Sequence, residues 1–290
     1  MTSLEAYAGK WFVVKIGGEL AVDVPKLAAS VGFAVREFRD HGIRVAVVHG
    51  GGPQASLLSK RLGLTPTQVR GQRVTDEETL EVMKMAVAGL VSVNVASAFR
   101  LARVDALCTS GVSAGLIEAV RRPAIVTETP EGKVEIDYGL VGDVTQVNVA
   151  LFEKLAEAGL VPVVACLAGD SAGRVYNVNA DTVAAKLALA LSAAKLILVS
   201  NVPGVLRDKS DPSTRIPRLT ISQARQYIAD GIIVGGMIPK IEESLEMLQS
   251  GIEAIHIVGT SPDTSVLEEI AAPGSRGTVF ENARTSSSND

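Results

Sequence analysis

The chain has 290 residues, 47% of them hydrophobic and 21% charged, a balance that supports a folded core and excludes wholesale disorder. The net charge of −4 leaves no basic excess for gripping a nucleic-acid backbone, and 4% aromatics leave few platforms for stacking bases. Mean hydropathy is +0.28, but the longest uncharged stretch, residues 85–99, contains Ser92, Asn94 and Ser97 and falls short of the roughly 18 apolar residues a membrane span needs. Neither nucleic acid nor membrane is therefore expected as a partner. No basic-then-apolar leader opens the sequence, and two cysteines, Cys108 and Cys166, cannot build a disulfide framework, so the cytoplasm is the expected compartment.

In chain order, residues 12–16 read as a buried strand, 24–41 as an amphipathic helix, 44–48 as a strand and 53–62 as a helix with Pro53 in its first turn. A long helix is predicted over 76–103, with Thr75 as N-cap and Glu78 completing a capping box. Strands follow at 105–108 and, in pieces, over 116–136, where the part around Lys133 reads as a surface hairpin. The pattern resumes with helix 147–157, strand 161–165, helix 181–193 and strand 196–199. After a polar loop at 207–220 come helices 222–229 and 240–249 and strands 255–258 and 278–280, then a flexible polar tail at 285–290. Strands alternating with helices imply an α/β fold, a three-layer αβα sandwich with a mostly parallel central sheet. Ligands of such sheets bind beyond the carboxyl ends of the strands.

Two of those ends carry glycines. Lys15-Ile16-Gly17-Gly18 closes the first strand and His49-Gly50-Gly51-Gly52 the second. Glycines there let successive N–H groups point into one concavity that suits phosphate oxygens, although tight turns alone also use them. Lys15 among Phe, Val and Ile is costly unless it is paired or faces a polar cleft. Neither a Walker A loop nor a G-x-G-x-x-G fingerprint is present. Asn177-Val178-Asn179-Ala180-Asp181 places polar residues before an apolar helix, where capping by Asn179 or Asp181 is the plain reading. Gly235-Gly236-Met237-Ile238-Pro239-Lys240 sets a lysine into a first helical turn, unfavourable unless an anion binds nearby. His49 reads as structural, orienting the glycine turn.

Together with Gly71-Gln72-Arg73-Val74-Thr75-Asp76, these segments resemble the amino-acid kinase family, and within it the members that phosphorylate N-acetylated glutamate. The resemblance runs over about residues 8–278. It implies ATP-dependent phosphorylation of the side-chain carboxylate of N-acetyl-L-glutamate, with ATP and Mg²⁺ as cofactors. In that reading Lys15 and Lys240 approach the transferring phosphoryl from opposite sides and Asp181 holds both ammonium groups. Gly51 and Gly52 contact phosphoryl oxygens and substrate, Arg73 grips the substrate α-carboxylate, and Asn177 hydrogen-bonds the substrate. Gly17, Gly18, Ser200, Asn201, Gly204, Gly236 and Met237 contact the nucleotide. Residues 1–175 would form an acyl-amino-acid lobe with the dimer contacts, and 176–284 a nucleotide lobe. No general base is required, because the attacking carboxylate is already ionised at neutral pH.

The sequence departs from the family at three places. Asn201 stands where the relatives carry an acidic residue, which keeps aminoadipate or a carrier-linked acidic amino acid open as substrate. The loop Thr109-Ser110-Gly111-Val112-Ser113-Ala114-Gly115 lacks the usual carboxylate. About ten residues precede the first strand, where arginine-inhibited members have a longer helix, so a homodimer without arginine control is expected. A catalytically silent nucleotide-binding subunit is the alternative from another class; the presence of Lys15, Asp181 and Lys240 argues against it.

Overall fold

The computed structural model describes residues 4–69, 71–129, 132–208, 210–233, 237–263 and 265–281. After β1 (Trp11–Ile16), a helix built of α1 (Val24–Leu27), a π-helical turn (Ala28–Gly32) and α2 (Phe33–Asp40) leads to β2 (Arg44–His49). Next come α3 (Gly52–Arg61), the two-residue strands β3 (Gln68–Val69) and β4 (Gln72–Arg73), and a long helix. That helix runs as α4 (Glu77–Met83), a π-helical stretch (Lys84–Val91) and α5 (Ser92–Leu101). The middle of the chain supplies β5 (Ala106–Ser110), β6 (Ile117–Arg121), β7 (Ile125–Thr129), β8 (Gly132–Ile136), β9 (Gly142–Val147) and α6 (Val149–Glu157). It continues through β10 (Val161–Ala165), β11 (Leu167–Gly169), β12 (Val175–Asn177), α7 (Ala180–Ala190) and β13 (Lys195–Val199). The closing elements are β14 (Arg218–Leu219), α8 (Ile221–Ala229), α9 (Met237–Gln249), β15 (Ala254–Val258), α10 (Ser265–Ala271) and β16 (Thr278–Glu281).

Eight strands form one sheet in the order β14-β16-β15-β13-β1-β2-β10-β5, parallel throughout except where β15 meets β16. β1 lies at the centre, with β2 on one side and β13 on the other. Alternation along β1 sends Trp11 and Val13 into one core and Phe12, Val14 and Ile16 into the other. The first core is closed by α3, α4, α6, α7, α8 and α9, through residues such as Ala55, Met83, Phe152, Val183, Ala224 and Leu245. The second is closed by α2, α5 and α10, through Phe38, Phe99 and Ile270. The α/β, three-layer αβα arrangement with a mostly parallel sheet is therefore present.

Several local expectations need correction. Thr75 is not the cap of the long helix: its side chain is buried, and Asp76 caps instead, accepting from the Thr79 amide. The polar stretch 207–220 is not all loop, because Arg218 and Leu219 pair with Val279 and Phe280 as β14. A second, four-stranded sheet, β12-β11-β6-β9, stands beside the first. β7 and β8 form the expected surface hairpin, while the expected tail at 285–290 lies outside the described residues. The uncharged stretch 85–99 belongs to the helix Glu77–Leu101, which by length and composition could cross a membrane; half of its most apolar window is packed inside the core.

Candidate active site

The period-2 geometry of β1 puts Lys15 on the same face as Trp11 and Val13, the face covered by α7. Register sets it between Val48 of β2 and Leu198 of β13. α7 begins at this level. Asn179 takes the cap position and accepts the Asp181 amide at 2.8 Å, so the Asp181 carboxylate is released from capping and turns to the sheet. Lys15 Nζ lies 2.9 Å from Asp181 Oδ1, with both side chains largely buried (11% and 16% exposed). The contact is an ion pair that sets the Lys15 ammonium directly on Asp181 Oδ1.

Beyond these strand ends lies a cleft of about 260 Å³. Lys15, Gly17, Gly18, Gly51, Gly52, Arg73, Asn177 and Asp181 all line it. The two glycine turns touch: a Cβ on Gly18 would stand 2.7 Å from the Gly51 Cα, and one on Gly51 would stand 2.9 Å from the Val87 side chain. Close approach of backbone to backbone thus requires glycine here. α3 and α7 both direct their N-termini at the cleft, adding two positive dipole ends to Lys15 and Arg73. His49 is fully buried between the Gly50 carbonyl and the Ser92 hydroxyl, each 3.0 Å away, and burial pushes its pKa down, keeping it neutral. It braces the glycine turn, as the sequence suggests.

Arg73 reaches in from β4. Its Nη2 donates to Ser56 Oγ at 2.7 Å and to the Gly52 carbonyl at 3.2 Å. Its Nη1 is buried without a partner, and burial lowers its pKa. Asn177 Nδ2 donates to Thr75 Oγ1 at 3.1 Å. Among the described residues, the buried side-chain polar atoms lacking a hydrogen bond are Gln54 Oε1, Arg73 Nη1 and Asp181 Oδ1. Two belong to residues of the cleft, and the third to a residue whose Nε2 holds the Gly18 carbonyl at its rim. Asp181 Oδ1 faces the Lys15 ammonium, so the unpaired guanidinium nitrogen of Arg73 is what marks a place for an anionic ligand in the cleft.

The remaining expected residues lie elsewhere or beyond description. Ser200 and Asn201 follow β13 at its carboxyl end, where Ser200 Oγ accepts from the Val202 amide. Gly204 packs against Thr278, whose Oγ1 would be 2.6 Å from an added Cβ. Met237 and Lys240 fall at the start of α9; their side chains and Gly236 are outside the described residues. Among the described residues no group of three or more His, Cys, Asp or Glu is placed to hold a metal.

The sequence profile of the amino acid kinase family matches residues 10–259. The chain belongs to the amino acid kinase family. Within it, the chain is 47% identical to the acetylglutamate kinase of Anaeromyxobacter dehalogenans (strain 2CP-C), over 94% of this chain and 100% of that one. It is 46% identical to the acetylglutamate kinase of Sorangium cellulosum (strain So ce56), over 92% and 93% respectively. A solved structure from Streptococcus mutans UA159 superimposes with a TM-score of 0.73 at 28% identity, covering 93% of this chain and 98% of that one.

Two residues that line this amino acid kinase's cleft, Arg122 and Cys166, and two that hold its lining, Gln54 and Thr75, were not singled out from sequence as site residues. Thr75 is hidden in a segment that reads as a cap. Arg122 lies among polar surface sequence, and only the sheet β6–β9 carries it to the cleft wall. Cys166 lines the cleft beside Lys15 and Asp181, and burial pushes its thiol up to about 11, so it is protonated and unreactive at neutral pH.

Proposed function

We propose that this chain transfers the γ-phosphoryl group of ATP to the side-chain carboxylate of N-acetyl-L-glutamate, forming N-acetylglutamyl 5-phosphate and ADP, a step of arginine biosynthesis. The observation that carries the reading is the buried, unpaired Arg73 Nη1 in one cleft with the Lys15–Asp181 ion pair and the two glycine turns. The high identity to acetylglutamate kinases over nearly the whole chain supports the choice of substrate.

Arg73 presents its unpaired Nη1 to the substrate α-carboxylate, and Asn177, with one N–H committed to Thr75, offers Oδ1 to the acylamino N–H. The side-chain carboxylate then points to the glycine turns. An oxygen of that carboxylate forms the new bond to phosphorus as the bond to the ADP oxygen breaks, and the leaving charge stays on ADP. Such transfer depends on position and on neutralising negative charge. Lys15 supplies a fixed cation, Asp181 keeps it aimed, and the N–H groups of Gly51 and Gly52 receive phosphoryl oxygens. Lys240 acts from α9 on the far side of the phosphoryl group. Gly17 and Gly18, with Ser200, Asn201, Gly204, Gly236 and Met237, contact the nucleotide. Mg²⁺ would be held by the ATP phosphates more than by protein side chains and would supply part of the charge neutralisation, in keeping with an ion that favours substrate phosphates over all-protein cages.

We also infer a homodimer. Met85, Leu90, Val93 and Leu101 are exposed on the long helix, and β5, the outer strand of the sheet, exposes Leu107 next to α5. An uncovered sheet edge flanked by apolar side chains favours a second copy as cover. The catalytic reading is tested by trapping the product with hydroxylamine. An acyl phosphate gives a hydroxamate that depends on both ATP and N-acetylglutamate; ADP formation without hydroxamate would mean that another acceptor is used.

A further inference from the structure

One wall of the cleft is formed by the β3–β4 hairpin, which contributes Gln68, Gly71, Gln72 and Arg73. Two residue pairs hold the ladder of this hairpin, Gln68 with Arg73 and Val69 with Gln72, so its backbone alone is a weak support for a binding group. Its anchoring therefore comes from outside. Arg122, directly after β6, donates through Nη1 to Gln72 Oε1 at 2.7 Å. The same guanidinium places Nε and Nη2 on Asp143 Oδ1 at 2.8 and 2.7 Å, and only 17% of its side chain is exposed. Its backbone is fixed too, by the Arg122 amide donating to the Val141 carbonyl at 2.8 Å. A planar cation held on two edges cannot turn, so Gln72 is tied to the four-stranded sheet, and Arg73 is its neighbour in the chain.

We propose that Arg122 is a positioning residue that sets the affinity for the acidic amino-acid substrate by latching Gln72, and with it Arg73, to the sheet. The inference rests on the assignment of Arg73 to the substrate carboxylate. Arg122 touches no reacting atom in this account. Its effect is confined to where the hairpin stands before substrate enters, and a hairpin free to move lowers the fraction of molecules ready to bind.

Gln72→Leu removes the acceptor and leaves Arg122 paired with Asp143. A charge-assisted hydrogen bond of this kind, partly open to solvent, predicts a rise of roughly 5–20-fold in substrate KM. The ATP KM and kcat should stay within about twofold of the parent. Arg122→Met should raise KM to a similar degree, Arg122→Lys less. The double variant should be no worse than Arg122→Met alone, because both changes break one connection. Hydrogen exchange without substrate gives a second readout, with faster exchange at Val69 and Gln72 in both single variants and little change in the main sheet. An unchanged substrate KM with unchanged hairpin exchange in Gln72→Leu would overturn the latch, as would additive effects in the double variant. Failure of the parent enzyme to turn over any acidic amino acid would instead overturn the functional reading on which the latch depends.

Discussion

Lys15 shows how much of this site depends on one side chain placed where the sheet would otherwise be wholly apolar. Burial of its charge is tolerated because Asp181 lies 2.9 Å away, and Asp181 is available because Asn179 performs the capping. Lys15→Met keeps the shape and removes the cation. It should lower kcat by roughly 10²-fold or more, with a smaller change in either KM, as loss of a transition-state stabiliser does. A steady-state assay decides this, and a change confined to KM would count against the role. Arg73→Lys should act in the other way. Lysine cannot reproduce a fork that holds Ser56 and Gly52 while offering Nη1 to a carboxylate, so substrate KM rises by roughly tenfold or more with a modest change in kcat.

At the scale of elements, the site is made by turns and helix starts that allow few alternatives. Gly139 adopts φ +72, and an added Cβ would meet the Thr75 carbonyl oxygen at 2.3 Å, in the bridge where Thr75 and Gly139 pair. Gly139→Ala should therefore destabilise the chain by about 2 kcal/mol or more and shift Thr75, which holds Asn177. Thermal unfolding checks the first effect and substrate KM the second. Sequence made β1, β2, β10, β13 and β15 legible because buried parallel strands read as continuous Val, Ile and Leu runs. The glycine turns were legible for a similar reason, since few other residues fit there. The long helix was legible as a helix but not in its first turn: Thr75-Asp76 offers two capping residues, and long-range bonds to Tyr138, Leu140 and Asn177 decide which one is free to cap. Arg122, Gln54 and the small sheet were missed because their roles come from contacts distant in sequence, which local pattern does not carry.

For the molecule as a whole, two buried histidines bear on behaviour with pH: His49 at the glycine turn, and His256 in a polar chain outside the cleft. Lys195 Nζ lies 3.3 Å from His256 Nε2, His256 Nδ1 lies 2.9 Å from Glu269 Oε1, and Glu269 also accepts the amides of Gly274, Arg276 and Gly277. These partners assign a neutral imidazole with its proton on Nδ1. Burial pushes the His256 pKa down, below its ordinary value, despite the Glu269 hydrogen bond, and burial brings Lys195 down to about 8. For His256 the unfolded chain binds a proton that the folded chain refuses, so stability falls as pH drops through the ordinary histidine range. For Lys195 the unfolded chain again holds more protons between about pH 8 and its ordinary value, so stability rises with pH across that window. Thermal unfolding from about pH 7.5 to about pH 5.5 should show a falling Tm, and His256→Gln should reduce that slope while His49 keeps the rest; an equal slope in the variant would contradict the assignment. Association is the other property at this scale. Val93→Glu, on the exposed side of α5, should convert a dimer to a monomer in gel filtration, and arginine should leave the parent's elution unchanged.

Together these parts make a kinase for an N-acylated acidic amino acid. ADP release by the purified protein, measured with N-acetylglutamate, glutamate, aspartate and 2-aminoadipate in parallel, tests it most directly. Efficient ATP-dependent turnover is expected with N-acetylglutamate and little with the three free amino acids, whose ammonium group would add a cation to a cleft already lined by Lys15, Arg73 and Arg122. Preferred turnover of free 2-aminoadipate, or ATP binding with no turnover of any of the four, would contradict it.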